Sequence, residues 1–222
     1  MVTAIVVAAG KSERMGAGTD KAFLSLVNKP VIAWSLLAFE RCPDVDAIVL
    51  VVRKDQLVAC KAVVQMFGIS KIHAIVAGGA RRQDSVLSGL KACDIDTRHV
   101  VIHDGARPCI SPEEISEIVK AVKRSGAVTF GRKITDTVKR VDRGSVVVAT
   151  EDRDKLWAVQ TPQAFQIKIL REAYKALGKA DVTDDCLAVE LNGGQVKIVE
   201  NRRPNIKITT VEDLQIAGAL LK

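Results

Sequence analysis

Short apolar runs rich in β-branched residues recur along this chain, separated by stretches of helical periodicity. The runs are Ala4–Ala8, Ala47–Val52, Lys71–Val76, His99–His103 and Ala127–Arg132. Each is too short for a helix of usual length and largely apolar rather than alternating, which is the pattern of strands buried on both faces of a parallel sheet. Pro30 opens a helix to about Arg41, with Val31, Trp34, Leu37 and Ala38 on one face. Gln56–Phe67 reads as helical and ends at Gly68, and Arg82–Ala92 reads as a third helix. Ser111-Pro-Glu-Glu114 forms a capping box that starts a helix to about Ser125. The alternation predicts an α/β fold: a Rossmann-like, mainly parallel sheet with helices on both faces. Ligands of such sheets sit beyond the carboxyl ends of the strands, so the segments at 8–14, 78–85 and 103–107 are expected to meet there.

The pattern breaks between about Thr135 and Val159. Thr137–Val141 and Ser145–Thr150 flank Asp142-Arg143-Gly144, which predicts a β-hairpin. A two-stranded ribbon is marginal alone, so it is expected to pack on something, most simply a second copy of itself. The remainder reads as helix Ile167–Leu177, helix Thr183–Leu191, strands Val196–Val199 and Ile206–Thr209, and a last helix capped by Thr210.

The chain has 222 residues, 48% hydrophobic and 27% charged, which suits a globular domain. A single domain over 1–222 is expected, with about 135–159 as a projecting arm. No apolar run reaches the length of a membrane span, and the N-terminus enters a strand without a basic-then-apolar signal. Five cysteines, at 42, 60, 93, 109 and 186, are scattered and odd in number, which predicts reduced thiols and a cytoplasmic location. The net charge of +7 calls for anionic partners. Aromatics are only 4% and no basic run stands out, so small phosphorylated ligands fit better than nucleic acid or a membrane.

The stretch AIVVAAGKSERMGAGTDKAFL, residues 4–24, carries the first chemical signal. Small residues at Ala8, Ala9 and Gly10 let a ligand approach the backbone, and amides exposed at such a turn form an anion-binding concavity. Lys11, Arg14 and Lys21 supply positive charge. A P-loop would need Gly where Ile5 stands, and a dinucleotide fingerprint has only Gly10 in place. Taken alone, the stretch also suits a solvated turn with surface cations.

AAGKSERMG…DKAFL resembles the nucleotidyltransferase signature of small-small-Gly-x-x-x-Arg-Met with a Lys several residues later. With the later motifs, the resemblance narrows to the 2-C-methyl-D-erythritol 4-phosphate cytidylyltransferase family and extends from residue 3 to about residue 220. It implies a nucleotide-diphospho-sugar transferase-like fold and a homodimer built by the arm. The reaction it implies joins CTP to a sugar-alcohol phosphate, with Mg2+ or another divalent cation. In that reaction the acceptor phosphate attacks the α-phosphorus and pyrophosphate leaves. The protein must neutralise the crowded charge, align two anions and seat the metal on the phosphates, and no covalent nucleophile is required.

By the same resemblance Arg14 and Lys21 stabilise the transition state; Lys11 stands at a variable loop position and is a candidate only for helping with the triphosphate. The segment Gly78-Gly79-Ala-Arg-Arg82-Gln-Asp-Ser85 reads cytosine, with Gly79, Ala80 and Ser85 on the base and Arg82 lining the nucleotide site. Without the family, the glycines also suit a turn that caps the helix from Arg82. His103-Asp104-Gly105-Ala106-Arg107-Pro108 is the most specific string. An Asp at the end of a buried strand is costly unless it binds something. Asp104 is a candidate for a ribose or substrate hydroxyl or for the magnesium, and Arg107 for an anion. The alternative is a mutual Asp104–Arg107 ion pair. His103 ranks as structural. Thr137, Arg153 and Lys207 match the family's second-substrate site, and Thr137 and Arg153 lie where an arm could carry them into a neighbouring subunit. Thr183 and Asp184 are weaker candidates for substrate hydroxyls that helix capping explains equally. Gln160-Thr-Pro-Gln163 reads as packing beneath the site.

Two rivals stay open at this point. Ribitol-5-phosphate cytidylyltransferases share the fold and the nucleotide, and a non-catalytic nucleotide-binding protein could use the same scaffold. A Rossmann dehydrogenase is disfavoured, since Arg53-Lys54 stand where its acid is expected.

Overall fold

The computed structural model describes residues 1–10 and 21–222, and the side chain of Lys21 lies outside that description. The chain runs β1 (Val2–Ala8), β2 (Ser25–Leu26), β3 (Lys29–Pro30), α1 (Val31–Arg41), β4 (Ala47–Val52), α2 (Leu57–Met66), β5 (Ile72–Ala77), α3 (Arg82–Lys91) and β6 (His99–Asp104). It continues through α4 (Pro112–Ser125), β7 (Ala127–Lys133), β8 (Lys139–Val141), β9 (Val147–Thr150), β10 (Trp157–Gln166), α5 (Ile167–Ala176), α6 (Asp185–Leu191), β11 (Lys197–Glu200) and α7 (Val211–Leu220).

Seven strands form the central sheet in the order β11-β7-β10-β6-β1-β4-β5. Pairing is parallel except at β10, which runs antiparallel to both β6 and β7. Successive residues of β1 point to opposite faces. Ala4 and Val6 pack with Ile32, Leu36 and Phe39 of α1 and Ile115, Ile118 and Val122 of α4. Ile5 packs with Val86 and Leu90 of α3 and Leu170, Ala173 and Tyr174 of α5. Both faces are thus covered, as the apolar runs require.

The strand order places the ligand crevice. From β1 the chain moves outward through β4 and β5, then returns to lay β6 on the other side of β1. That reversal is a topological switch point, where the carboxyl ends of β1 and β6 open side by side. The register sets Val7 opposite Asp104, and Gly105 N–H donates to the Val7 carbonyl at 2.9 Å.

Two expectations from the sequence need correction. The segment 206–209 is not a strand. Both edges of β6 are already taken, by β1 and β10. The segment therefore crosses the strand end, held by Ile208 N–H on the Ala106 carbonyl at 2.8 Å. Conversely, Trp157–Gln166 is a ten-residue strand that the sequence reading passed over. Pro162 interrupts its ladder, and the register against β7 shifts between Gln160 and Gln163. The hairpin forms as expected from β8 and β9, with Asp142 Oδ1 accepting from Gly144 N–H and Val146 N–H across the turn. The apolar side chains of Val146, Val147 and Val148 stand exposed on it.

Candidate active site

Asp104 is the last residue of β6 and is buried. Its two oxygens go to different cations. Arg82 Nε donates to Oδ1 at 3.2 Å, and Lys207 Nζ lies 2.7 Å from Oδ2. Arg82 is the first residue of α3, and Lys207 comes from the crossing segment that replaces the expected strand. Burial alone would raise the Asp104 carboxyl, but Arg82 and Lys207 hold it well below the usual carboxylate range. Arg107 is not its ion-pair partner: Arg107 Nη1 donates to the Asn205 carbonyl at 2.7 Å, and its Nε is buried without a partner among the described residues.

Beneath this pair, Asp104 N–H donates to Thr161 Oγ1 at 3.0 Å, and that hydroxyl lies 3.3 Å from His103 Nδ1. His103 Nε2 faces the Arg107 carbonyl at 3.1 Å. A carbonyl can only accept, so Nε2 carries the proton and Nδ1 accepts from Thr161. Burial pushes the imidazole down to about 4, so His103 is a neutral structural link. Gln160-Thr-Pro-Gln163 lies beneath the site as its sequence suggests, and Thr161 adds the hydrogen bonds to Asp104 and His103.

The ends of three strands touch here. A methyl group at Gly78, just past β5, would lie 2.4 Å from Ala9 Cβ, just past β1, and 2.7 Å from Ser85 Oγ. A methyl at Gly105, just past β6, would lie 3.2 Å from Ala8 Cβ. Gly79 and Ala80 are exposed at the rim, with Gly79 N–H donating to Ser85 Oγ at 3.2 Å. Ser85 Oγ in turn donates to the Arg81 carbonyl at 3.2 Å. Gly10 is exposed; Lys11 and Arg14 lie outside the described residues, as does the side chain of Lys21.

The arm residues stand apart within this chain. Thr137 and Arg153 are exposed, and Arg153 Nη1 donates to the Thr135 carbonyl at 2.5 Å. Among the described residues, no hydrogen bond or ion pair ties either to the Asp104 cluster. Thr183 is exposed, while Asp184 caps α6 by accepting from Leu187 N–H at 2.9 Å.

The site is thus an end of the sheet where Arg82, Arg107 and Lys207 outnumber the carboxylates of Asp104 and Asp185. It suits phosphorylated ligands, while Gly78 and Gly79 let the turn pack closely on Ala9, Ser85 and Asp84. The family model for 2-C-methyl-D-erythritol 4-phosphate cytidylyltransferase matches residues 2–222. The chain belongs to that family.

Among its relatives, the 2-C-methyl-D-erythritol 4-phosphate cytidylyltransferase of Desulforamulus reducens is 43% identical, covering 100% of this chain and 96% of the relative. That of Pelotomaculum thermopropionicum is 46% identical, covering 100% and 94%. The crystal structure of 4-diphosphocytidyl-2C-methyl-D-erythritol synthase from Anaerococcus prevotii superposes with a TM-score of 0.87 at 33% identity, covering 99% of this chain and 97% of that one. As a 2-C-methyl-D-erythritol 4-phosphate cytidylyltransferase family member, the chain is a nucleotidyltransferase of isoprenoid biosynthesis with the α/β fold expected from its sequence. No helix among the described residues is long and apolar enough to cross a membrane.

Proposed function

We propose that the chain joins CTP and 2-C-methyl-D-erythritol 4-phosphate at the cleft around Asp104, giving 4-diphosphocytidyl-2-C-methyl-D-erythritol and pyrophosphate. The observation that carries this placement is the meeting of Lys207 with Asp104 at the switch point between β1 and β6, next to the Gly78-Gly79 turn. The turn would take the cytosine by backbone approach, with Ser85 fixing the Gly79 amide. A phosphate oxygen of the acceptor attacks the α-phosphorus; the new P–O bond forms as the bond to the bridging oxygen of pyrophosphate breaks. The acceptor phosphate is already ionised, so no base is needed, consistent with a neutral His103.

Lys207 and Arg107 would hold the acceptor's phosphate, and Asp104 a hydroxyl of the acceptor or the ribose. The family resemblance assigns charge neutralisation at the α-phosphate and the leaving group to Arg14 and Lys21, and Lys11, in the same loop, would add charge for the triphosphate. It assigns Thr137 and Arg153 to the second-substrate site, and their place beside the β8–β9 arm would let a homodimer carry them into the neighbouring subunit's site. The exposed valines of the arm support that dimer, because an isolated ribbon with an apolar surface is marginal in water.

A divalent cation fits in one way. Among the described residues no group of three His, Cys, Asp or Glu side chains is arranged to hold a metal. Of the two buried carboxylates on Arg82, Asp104 lies at the strand end and Asp185 is fully enclosed. That donor set suits Mg2+ bound largely through substrate phosphates, with Asp104 as the protein's contribution. Such an ion would supply charge neutralisation on the triphosphate.

The test is pyrophosphate release from CTP and Mg2+ with each candidate acceptor. Turnover is expected with 2-C-methyl-D-erythritol 4-phosphate. Turnover with ribitol 5-phosphate alone, or CTP binding by calorimetry without turnover on either, would overturn the proposal.

A further inference from the structure

Asp185 opens α6 and is 0% exposed, and its carboxylate faces Arg82 rather than water. Arg82 Nη1 donates to Asp185 Oδ2 at 2.8 Å, closer than the 3.2 Å contact of Arg82 Nε with Asp104. Tyr174 O–H donates to the other oxygen, Oδ1, at 2.6 Å, and Asp185 N–H donates to Gln163 Oε1 at 3.1 Å. Four charges of alternating sign therefore run in series: Asp185, Arg82, Asp104, Lys207.

The geometry of Arg82 is the unusual link. A guanidinium beside a carboxylate favours a two-pronged grip on both oxygens. Arg82 instead touches Asp104 with Nε alone, and its Nη2 is buried without a partner among the described residues. The pull of Asp185, itself braced by Tyr174, is what turns the fork away. Asp104 Oδ2 is thereby left to Lys207. We propose that Asp185, braced by Tyr174, is a positioning residue: it holds Arg82 to one oxygen of Asp104 so that Lys207 keeps the other and stays aimed at the acceptor phosphate. The proposal rests on the reading above that Asp104 and Lys207 receive the acceptor. The competing role is a structural tie between α6 and α3, and the test separates the two.

Asp185→Asn keeps the shape and removes the charge, which would free Arg82 to take both Asp104 oxygens and displace Lys207. In steady-state assays with CTP and 2-C-methyl-D-erythritol 4-phosphate, kcat/KM for the acceptor is expected to fall about 10- to 100-fold, the usual cost of losing an orienting partner. KM for CTP is expected to stay within about threefold of the parent, since the base contacts are untouched. Tyr174→Phe should shift the acceptor in the same direction by a smaller factor, and Asp185→Glu should recover part of the loss. The deciding measurement is a double-mutant cycle with Lys207→Ala. Acting through Lys207, Asp185→Asn should cost little once Lys207 is gone. Additive losses, or equal losses toward both substrates with a lowered Tm, would make Asp185 a structural tie and overturn the proposal. If Asp185→Asn does not fold, the Tyr174→Phe cycle decides by the same criterion. If Lys207→Ala alone leaves acceptor kinetics unchanged, the acceptor-site reading fails, and the proposal with it.

Discussion

Lys207 Nζ sits 2.7 Å from Asp104 Oδ2, although 103 positions of chain separate the two residues. The contact joins the crossing segment after β11 to the end of β6. Lys207→Ala should reduce kcat/KM for the acceptor by about 100-fold, as for loss of a preorganised cation at a site of developing charge. Affinity for CTP, measured by calorimetry, should change far less. Equal loss toward both substrates would place Lys207 elsewhere in the reaction.

Arg14 and Lys21 carry the assignment that depends most on family likeness. Arg14→Ala and Lys21→Ala are each expected to slow turnover by about 100- to 1,000-fold. Rapid-quench measurement of pyrophosphate release would locate the loss in the chemical step. Near-parental turnover in either variant removes that residue from the transition state.

Gly78 is where β5 comes closest to β1, and a side chain has no room there. Gly78→Ala would push against Ala9 Cβ and Ser85 Oγ, neither of which can swing away as a long side chain could. Overpacking of this kind costs about 1–3 kcal/mol. Because the clash lies at the proposed nucleotide turn, CTP affinity should drop along with stability, by about 10-fold or more. Denaturant unfolding and calorimetry on the same protein would read both, and unchanged CTP binding would move the base elsewhere.

His103 gives the fold a pH dependence with a definite sign. Burial lowers its imidazole from 6.5 to about 4, so the unfolded chain binds a proton that the folded chain refuses. Its contribution is complete above pH 6.5 and is lost as pH falls from there toward 4. The full loss is on the order of 3 kcal/mol. Unfolding free energies measured from pH 7 to pH 5 should therefore decline, and His103→Gln should flatten most of the slope. His99, also lowered by burial, should leave a smaller decline in the same direction. An unchanged slope in the variant would assign the effect to other groups.

The arm offers an independent check. Val147→Asp combined with Val148→Lys places charge on its exposed apolar surface. Sedimentation should then shift from dimer to monomer, with turnover falling in step if Thr137 and Arg153 serve the neighbouring site. A monomeric parent would remove the dimer from the proposal.

The parallel sheet was legible because burial on both faces leaves a plain mark: β1 from Ala4 onward and all of β4 are uninterrupted apolar runs. The capping box at Ser111 was equally legible, since Ser111 and Glu114 satisfy each other's backbone within four residues. β10 was hidden by Pro162, which breaks a ladder locally but is tolerated where the register shifts. Lys207 was found by likeness yet placed on a strand that does not form, because sequence does not reveal that β6 has no free edge. Asp185 and Tyr174 were missed for a similar reason. They act through Arg82, and a buried partner of a partner has no motif of its own.

The arm leaves the sheet after Lys133 and the chain rejoins it at Trp157, and those two residues are paired across the β7–β10 ladder. The excursion is therefore stitched shut at its root, like a loop of thread drawn from a finished seam. A change of length or sequence between 134 and 156 therefore need not disturb the sheet that holds Asp104.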